Sequence, residues 1–146
     1  MATPIDIILE YGNPGVTESG NWANATAATL HYGSMSRYAT AGGNVDSVIF
    51  RPNLPEAGDY EVLVWNSYYA NRMTNVPHRI VHLNGETIIP IDQSGTGIYG
   101  QWLSLGWYSF SIGTSGFVEI SDIGLVPTQL TYIGADAVRF RNAESL

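Results

Sequence analysis

Apolar and polar positions alternate with a period of two along most of the chain, and no segment sustains the 3.6-residue period of a helix. Ile5 to Glu10 opens the pattern and stops at the turn-rich Gly12-Asn13-Pro14-Gly15. Ser47 to Arg51 puts Val48 and Phe50 on one face, and Asn53 to Gly58 reads as a loop closing on glycine. The clearest run follows, with Tyr60, Val62 and Val64 on one face and Glu61, Leu63 and Trp65 on the other. His78 to Leu83 and Thr87 to Asp92 flank Asn84-Gly85, a pair favoured in tight hairpins because both residues tolerate φ > 0. Trp102 to Phe110, Phe117 to Asp122 and Tyr132 to Arg141 complete the predicted strands, with Gly113-Thr114-Ser115-Gly116 as a turn.

Short strands separated by turn signals predict an all-β fold, an antiparallel β-sandwich of the jelly-roll kind. Neither an internal repeat nor a composition break divides residues 1–146, so one domain is expected. Two stretches carry no strand pattern, Gly12 to Met35 and Asn66 to Pro77. Loops of that length in a compact domain are more often functional than incidental.

Composition narrows the classes. The chain has no cysteine, which removes disulfides, thiol catalysis and thiolate metal sites together. Its six basic residues are all arginine, and the net charge of −7 argues against nucleic acid, whose phosphates demand basic residues, and against an anionic membrane surface. Apolar runs fall far short of a bilayer span. Met1-Ala2-Thr3-Pro4 shows no signal-peptide pattern, while low charge, absent lysine and 16 glycines suit an exported β-module, secreted or at the cell surface as part of a larger protein.

Catalytic motifs fail one by one. His78 and His82 lie about 13 Å apart on one strand face, too far to share a metal, and His31 has no partner at ligand spacing. Gly113-Thr114-Ser115-Gly116 sits between strands rather than at a nucleophile elbow. Gly95-Thr96-Gly97 lacks the lysine and the following helix of a phosphate loop. Nothing in the spacing of the 13 acidic residues selects a glycosidase pair. No enzyme is expected.

The aromatics carry more information. Tyr60, Tyr108, Phe50, Phe110 and Phe140 share faces with Val or Leu and read as core. Tyr68 and Tyr69 stand in Trp65-Asn66-Ser67-Tyr68-Tyr69-Ala70-Asn71-Arg72, and Tyr99 in Gly97-Ile98-Tyr99-Gly100-Gln101, amid polar neighbours. Aromatic plates beside a few hydrogen-bonding groups line small-ligand sites, although tyrosines capping a sandwich edge would look the same.

Several strings together resemble the golvesin C-terminal-like domain, also attached to xanthan lyases and similar to carbohydrate-binding module families 6, 35 and 36. They are Ile7-Ile8-Leu9-Glu10 through Gly20-Asn21-Trp22, Pro52-Asn53-Leu54-Pro55 through Tyr60-Glu61-Val62, and Asn71-Arg72 through Pro77 with His82 and Gly85. Gln101-Trp102, Leu105-Gly106, Tyr108 and Phe110 continue the match, which closes on Ala135-Asp136-Ala137-Val138-Arg139-Phe140. The chain departs from the pattern at Glu10, where Asp is usual, at Trp107, where a small polar residue is usual, and in a long Asp122 to Thr131 segment.

The resemblance implies a non-catalytic module that binds a polysaccharide, and together with the loop aromatics and their polar neighbours it points to Tyr68, Tyr69, Asn71, Arg72, Tyr99 and Trp102. Related modules hold a structural calcium through acidic residues near both termini, which here implies Glu10 and Asp136; no other cofactor is expected. Asp136 shares a strand face with Val138 and Phe140, so it is expected to be buried, and pairing with Arg72 or Arg139 would also satisfy it. The alternative function is a structural adhesion or assembly domain of a surface or phage tail protein, docking neighbouring domains of its parent or forming a homo-oligomer.

Overall fold

The structure, a computed structural model, describes residues 3–127 and 131–146. Met1-Ala2 and residues 128–130 of the long Asp122 to Thr131 segment therefore lie outside the described residues. The strands are β1 (Asp6–Glu10), β2 (Val16–Ser19), β3 (Ala23–Asn24), β4 (Arg37–Thr40), β5 (Ser47–Phe50) and β6 (Gly58–Trp65). They continue as β7 (Val76–His82), β8 (Gly85–Ile91), β9 (Trp102–Phe110), β10 (Phe117–Ser121), β11 (Tyr132–Ala135) and β12 (Ala137–Arg141).

Two sheets form the sandwich, in the orders β1-β12-β6-β9 and β2-β5-β10-β7-β8. Every pairing within them is antiparallel. The alternation expected of half-buried strands decides what lies between them. Val62, Val64, Val138 and Phe140 from the first sheet, and Val48, Phe50, Ile80, Val118 and Ile120 from the second, belong to one buried cluster with at most 1% exposure. Phe110 stacks edge-on against Tyr60 and Phe140 in the same core, at centroid distances of 6.0 and 5.7 Å. The outer face of the first sheet carries ion pairs instead, Asp6 with Arg139 and Glu61 with Arg141. At the β7–β8 hairpin, Gly85 takes the positive φ of 121° that the tight turn needs.

A third small sheet, β11-β4-β3, covers one end of the sandwich. Its strands are where pattern and structure part. β3 lies inside the stretch that shows no strand pattern, as does β2 of the five-stranded sheet, and β4 follows it. The expected last strand, Tyr132 to Arg141, is two strands that break at Asp136. Ile133 and Ala135 are buried before the break, and Val138 and Phe140 after it, so the inward phase slips by one residue at that point. Asp136 thus stands where β11 leaves for the end sheet and β12 enters the sandwich.

Candidate functional site

The end sheet and the loop between β6 and β7 enclose a groove of about 200 Å³. Ala25 to Ala28 form one wall, Tyr38 of β4 and Tyr132 of β11 another, and Tyr69, Asn71 and Arg72 of the loop the rest. The loop is held at both ends by backbone bonds. Tyr68 exchanges bonds with Thr29 at 2.7 and 2.9 Å, and Met73 N–H donates to Tyr132 O at 2.8 Å. Tyr38 and Tyr132 meet edge to face, 5.4 Å between centroids.

Arg72 forms the floor. It is only 4% exposed, and its guanidinium carbon lies 5.4 Å from the Tyr38 ring centre and 5.5 Å from that of Tyr69. Such cation–π contacts support a desolvated charge. Nη1 donates to Asn71 Oδ1 at 2.7 Å. Among the described residues Arg37, Arg79, Arg139 and Arg141 each pair with a carboxylate, and Arg72 does not. Burial pulls its pKa down from the ordinary value, and Tyr38, Tyr69 and Tyr132 oppose that shift. An arginine starts so high that it stays charged. The groove therefore offers a buried cation among aromatic rings, a setting for an anionic or polar ligand.

Of the residues expected at a site, Tyr69, Asn71 and Arg72 come together here. Tyr68 and Tyr99 do not line the groove; they pack on each other with centroids 4.6 Å apart, Tyr68 lying over Gly95. Trp102 belongs to a third group, with Tyr32 and Trp65 at 5.1 and 5.4 Å and Arg139 over its ring at 5.3 Å. Tyr38 and Tyr132 were not expected in the site. Tyr132 reads as an ordinary strand residue, and β4 buries only Ala39, so it shows no apolar face.

The acidic pair is close as well. Glu10 of β1 stands opposite Ala137, next to Asp136. Asp136 is 3% exposed; its Oδ2 accepts the Tyr32 N–H at 2.9 Å, and its Oδ1 has no hydrogen-bond partner among the described residues. Burial pushes its pKa up to about 7, the Tyr32 bond opposes this and the Glu10 charge adds to it. The expected direct pairing with Arg72 or Arg139 does not occur: Arg72 bonds Asn71, and Arg139 Nε donates to Asp6 at 2.8 Å on the outer face. A calcium ion takes six to eight oxygens. The two carboxylates, one oxygen already engaged by Tyr32, meet no third acidic or histidine side chain in a metal-holding group among the described residues. Two carboxylates supply a minority of such a shell, and the remainder would fall to backbone carbonyls and water.

A β-sandwich whose end sheet carries an aromatic groove is thus the class the fold and geometry define. The Golvesin C-terminal domain family matches residues 7–142, and the chain belongs to that family. It is 38% identical over 139 residues to a xanthan lyase of Bacillus sp. (strain GL1), covering 94% of this chain and 14% of that protein. The chain thus spans about one seventh of the curated relative it matches. The solved structure of a Paenibacillus xanthan lyase is 33% identical with a TM-score of 0.81, covering 94% of this chain and 13% of that one. A family 35 carbohydrate-binding module in complex with a glucuronic acid-containing disaccharide shares the fold, with a TM-score of 0.59 at 16% identity over 92% of this chain and 91% of that one. Among the described residues no helix is long and apolar enough to cross a membrane.

Proposed function

We propose that this chain is a non-catalytic carbohydrate-binding module of a larger exported protein, and that it takes an acidic sugar of a polysaccharide in the groove over Arg72. The observation that carries this reading is the buried Arg72 guanidinium, within cation–π distance of two tyrosine rings and lacking a directly bonded carboxylate. A sugar presents an apolar C–H face to Tyr69 or Tyr132, and a uronate carboxylate presents the planar acceptor pair that a guanidinium matches. Thr26 and Asn71 are further polar residues of the lining. The groove has room for about one sugar ring, which favours recognition of a single unit or chain end. The family 35 module with its glucuronic acid-containing ligand supports the ligand class by analogy of fold alone. Titration calorimetry with uronic acid oligosaccharides tests the proposal, with saturable binding expected in wild type and loss in Arg72→Met.

A second reading, a docking domain for protein neighbours or a further copy of the chain, draws on one feature. Leu83 and Ile112 are 61% and 65% exposed at the end of the sandwich where Val81, His82, Phe110 and Gly116 line a groove of about 250 Å³. Light scattering tests it; a strict monomer that gains no partner from its parent protein removes it.

A further inference from the structure

Beneath the groove lies a second, much smaller cavity of about 10 Å³, lined by Asn66, Ser67, Arg72, Gln93, Gly134, Ala135 and Asp136. Arg72 belongs to both, as floor of one and roof of the other. Two atoms of the lining residues lack a partner among the described residues, Asn66 Nδ2 and Asp136 Oδ1. Both residues are more than nine-tenths buried. Native proteins rarely leave such groups unpaired.

The orientation of Asn66 is fixed by its neighbour. The Gln93 amide copies a strand, donating to Gly134 O and accepting from Gly134 N, each at 2.8 Å. Its Nε2 therefore reaches Asn66 Oδ1, at 3.4 Å, and the Asn66 amide hydrogens are left for the cavity. The residues that carry an unpartnered donor and an unpartnered acceptor thus line one space with an arginine. A bare cation would satisfy Asp136 and repel both others. Water accepts from the first and third and donates to the second. The volume is that of about one water, the smallest cavity that holds one.

We propose that one buried water fills this cavity and joins Asp136 Oδ1 to Asn66 Nδ2 and the Arg72 guanidinium. Asp136 is then the water-mediated counter-charge of the groove arginine, in the position where fold relatives are expected to hold calcium. It acts as a positioning residue, fixing the guanidinium plane that faces the ligand without touching the ligand. The positioning role rests on the carbohydrate reading above; the water does not.

A high-resolution crystal structure of the full chain reads the water directly. One ordered water within about 3.2 Å of all three groups is expected; a dry cavity or a metal ion there overturns the proposal. Melting in calcium chloride and in EDTA gives the solution check. Equal melting temperatures are expected, whereas a calcium-dependent rise that Asp136→Asn abolishes overturns the water and restores a Glu10–Asp136 calcium site. In the binding arm, Asp136→Asn and Asn66→Leu are expected to weaken an acidic oligosaccharide about three- to tenfold and leave its carboxyl-reduced counterpart unchanged. Unchanged acidic affinity in a folded variant overturns the positioning role, and Asn66→Leu decides alone if Asp136→Asn does not fold. Should wild type bind no acidic oligosaccharide, the carbohydrate reading and the positioning role fall together, while the crystal and melting arms still judge the water.

Discussion

Arg72 Nη1 donates to Asn71 Oδ1, the side chain of the residue before it, at 2.7 Å. A neighbour's neutral amide orients the guanidinium without bonding a carboxylate to it directly, so the groove can attract an anion. Replacing Arg72 by Lys keeps the charge and loses the planar fork and the ring stacking. Affinity for an acidic oligosaccharide should fall about tenfold in Arg72→Lys, on the order of 1.4 kcal/mol, and further in Arg72→Met. Calorimetry checks both; equal affinity for Lys and Arg would contradict bidentate recognition.

Gly134 controls the same side chain from below. A Cβ at this position would lie 3.2 Å from Arg72 Nε, so the arginine must shift. Gly134→Ala should weaken binding several-fold with a stability cost of about 1–2 kcal/mol, the range for mild overpacking. Urea denaturation beside calorimetry separates the two effects.

The aromatic pairs predict a division of labour. Tyr69 and Tyr132 line the groove, whereas Tyr68 and Tyr99 pack on one another outside it. Tyr69→Ala and Tyr132→Ala should each lower affinity by about 1–2 kcal/mol, on the scale of lost stacking and cation–π contacts. Tyr68→Ala should leave affinity intact and lower stability through loss of its ring contact with Tyr99. Affinity electrophoresis and thermal melting on the same samples read both quantities.

His78 predicts an acid-sensitive fold. It is fully buried, with Nδ1 2.9 Å from Val76 O, and burial pulls its pKa from 6.5 to about 4, partly opposed by that hydrogen bond. Between those values the unfolded chain binds a proton that the folded chain refuses. The His78 contribution is therefore complete above pH 6.5, shrinks as pH falls towards about 4 and levels off below it. The full span is about 3 kcal/mol by linkage. The stability difference between wild type and His78→Phe, measured by urea denaturation at pH 7 and pH 4.5, should move in favour of the variant at the lower pH.

Much of the sandwich was legible in the alternation of the chain. β5, β6, β9 and β10, together with the β7–β8 hairpin, fall where inward residues such as Val48 and Phe50, Val62 and Val64, and His78 and Ile80 recur every second position. β3 escaped because both of its residues, Ala23 and Asn24, are exposed and leave no amphipathic trace. The break at Asp136 had a trace, the slip of inward phase between Ala135 and Val138, which a continuous-strand reading passes over. The site was half legible. Tyr69, Asn71 and Arg72 are neighbours in sequence, and a polar loop rich in aromatics marks them. Tyr38 and Tyr132 reach the same groove only through the β11–β4 pairing, a contact across more than ninety residues that no local pattern encodes.

The central claim is that Arg72 receives the carboxylate of an acidic sugar. Its most direct test is calorimetric titration of the wild-type chain with a uronic acid oligosaccharide and with the same oligosaccharide after carboxyl reduction. Saturable binding of the acidic form, weakened by added salt, is expected, with at least tenfold weaker binding of the reduced form, a difference of about 1.4 kcal/mol or more. Equal affinity for the two forms, or no binding of either, would contradict it.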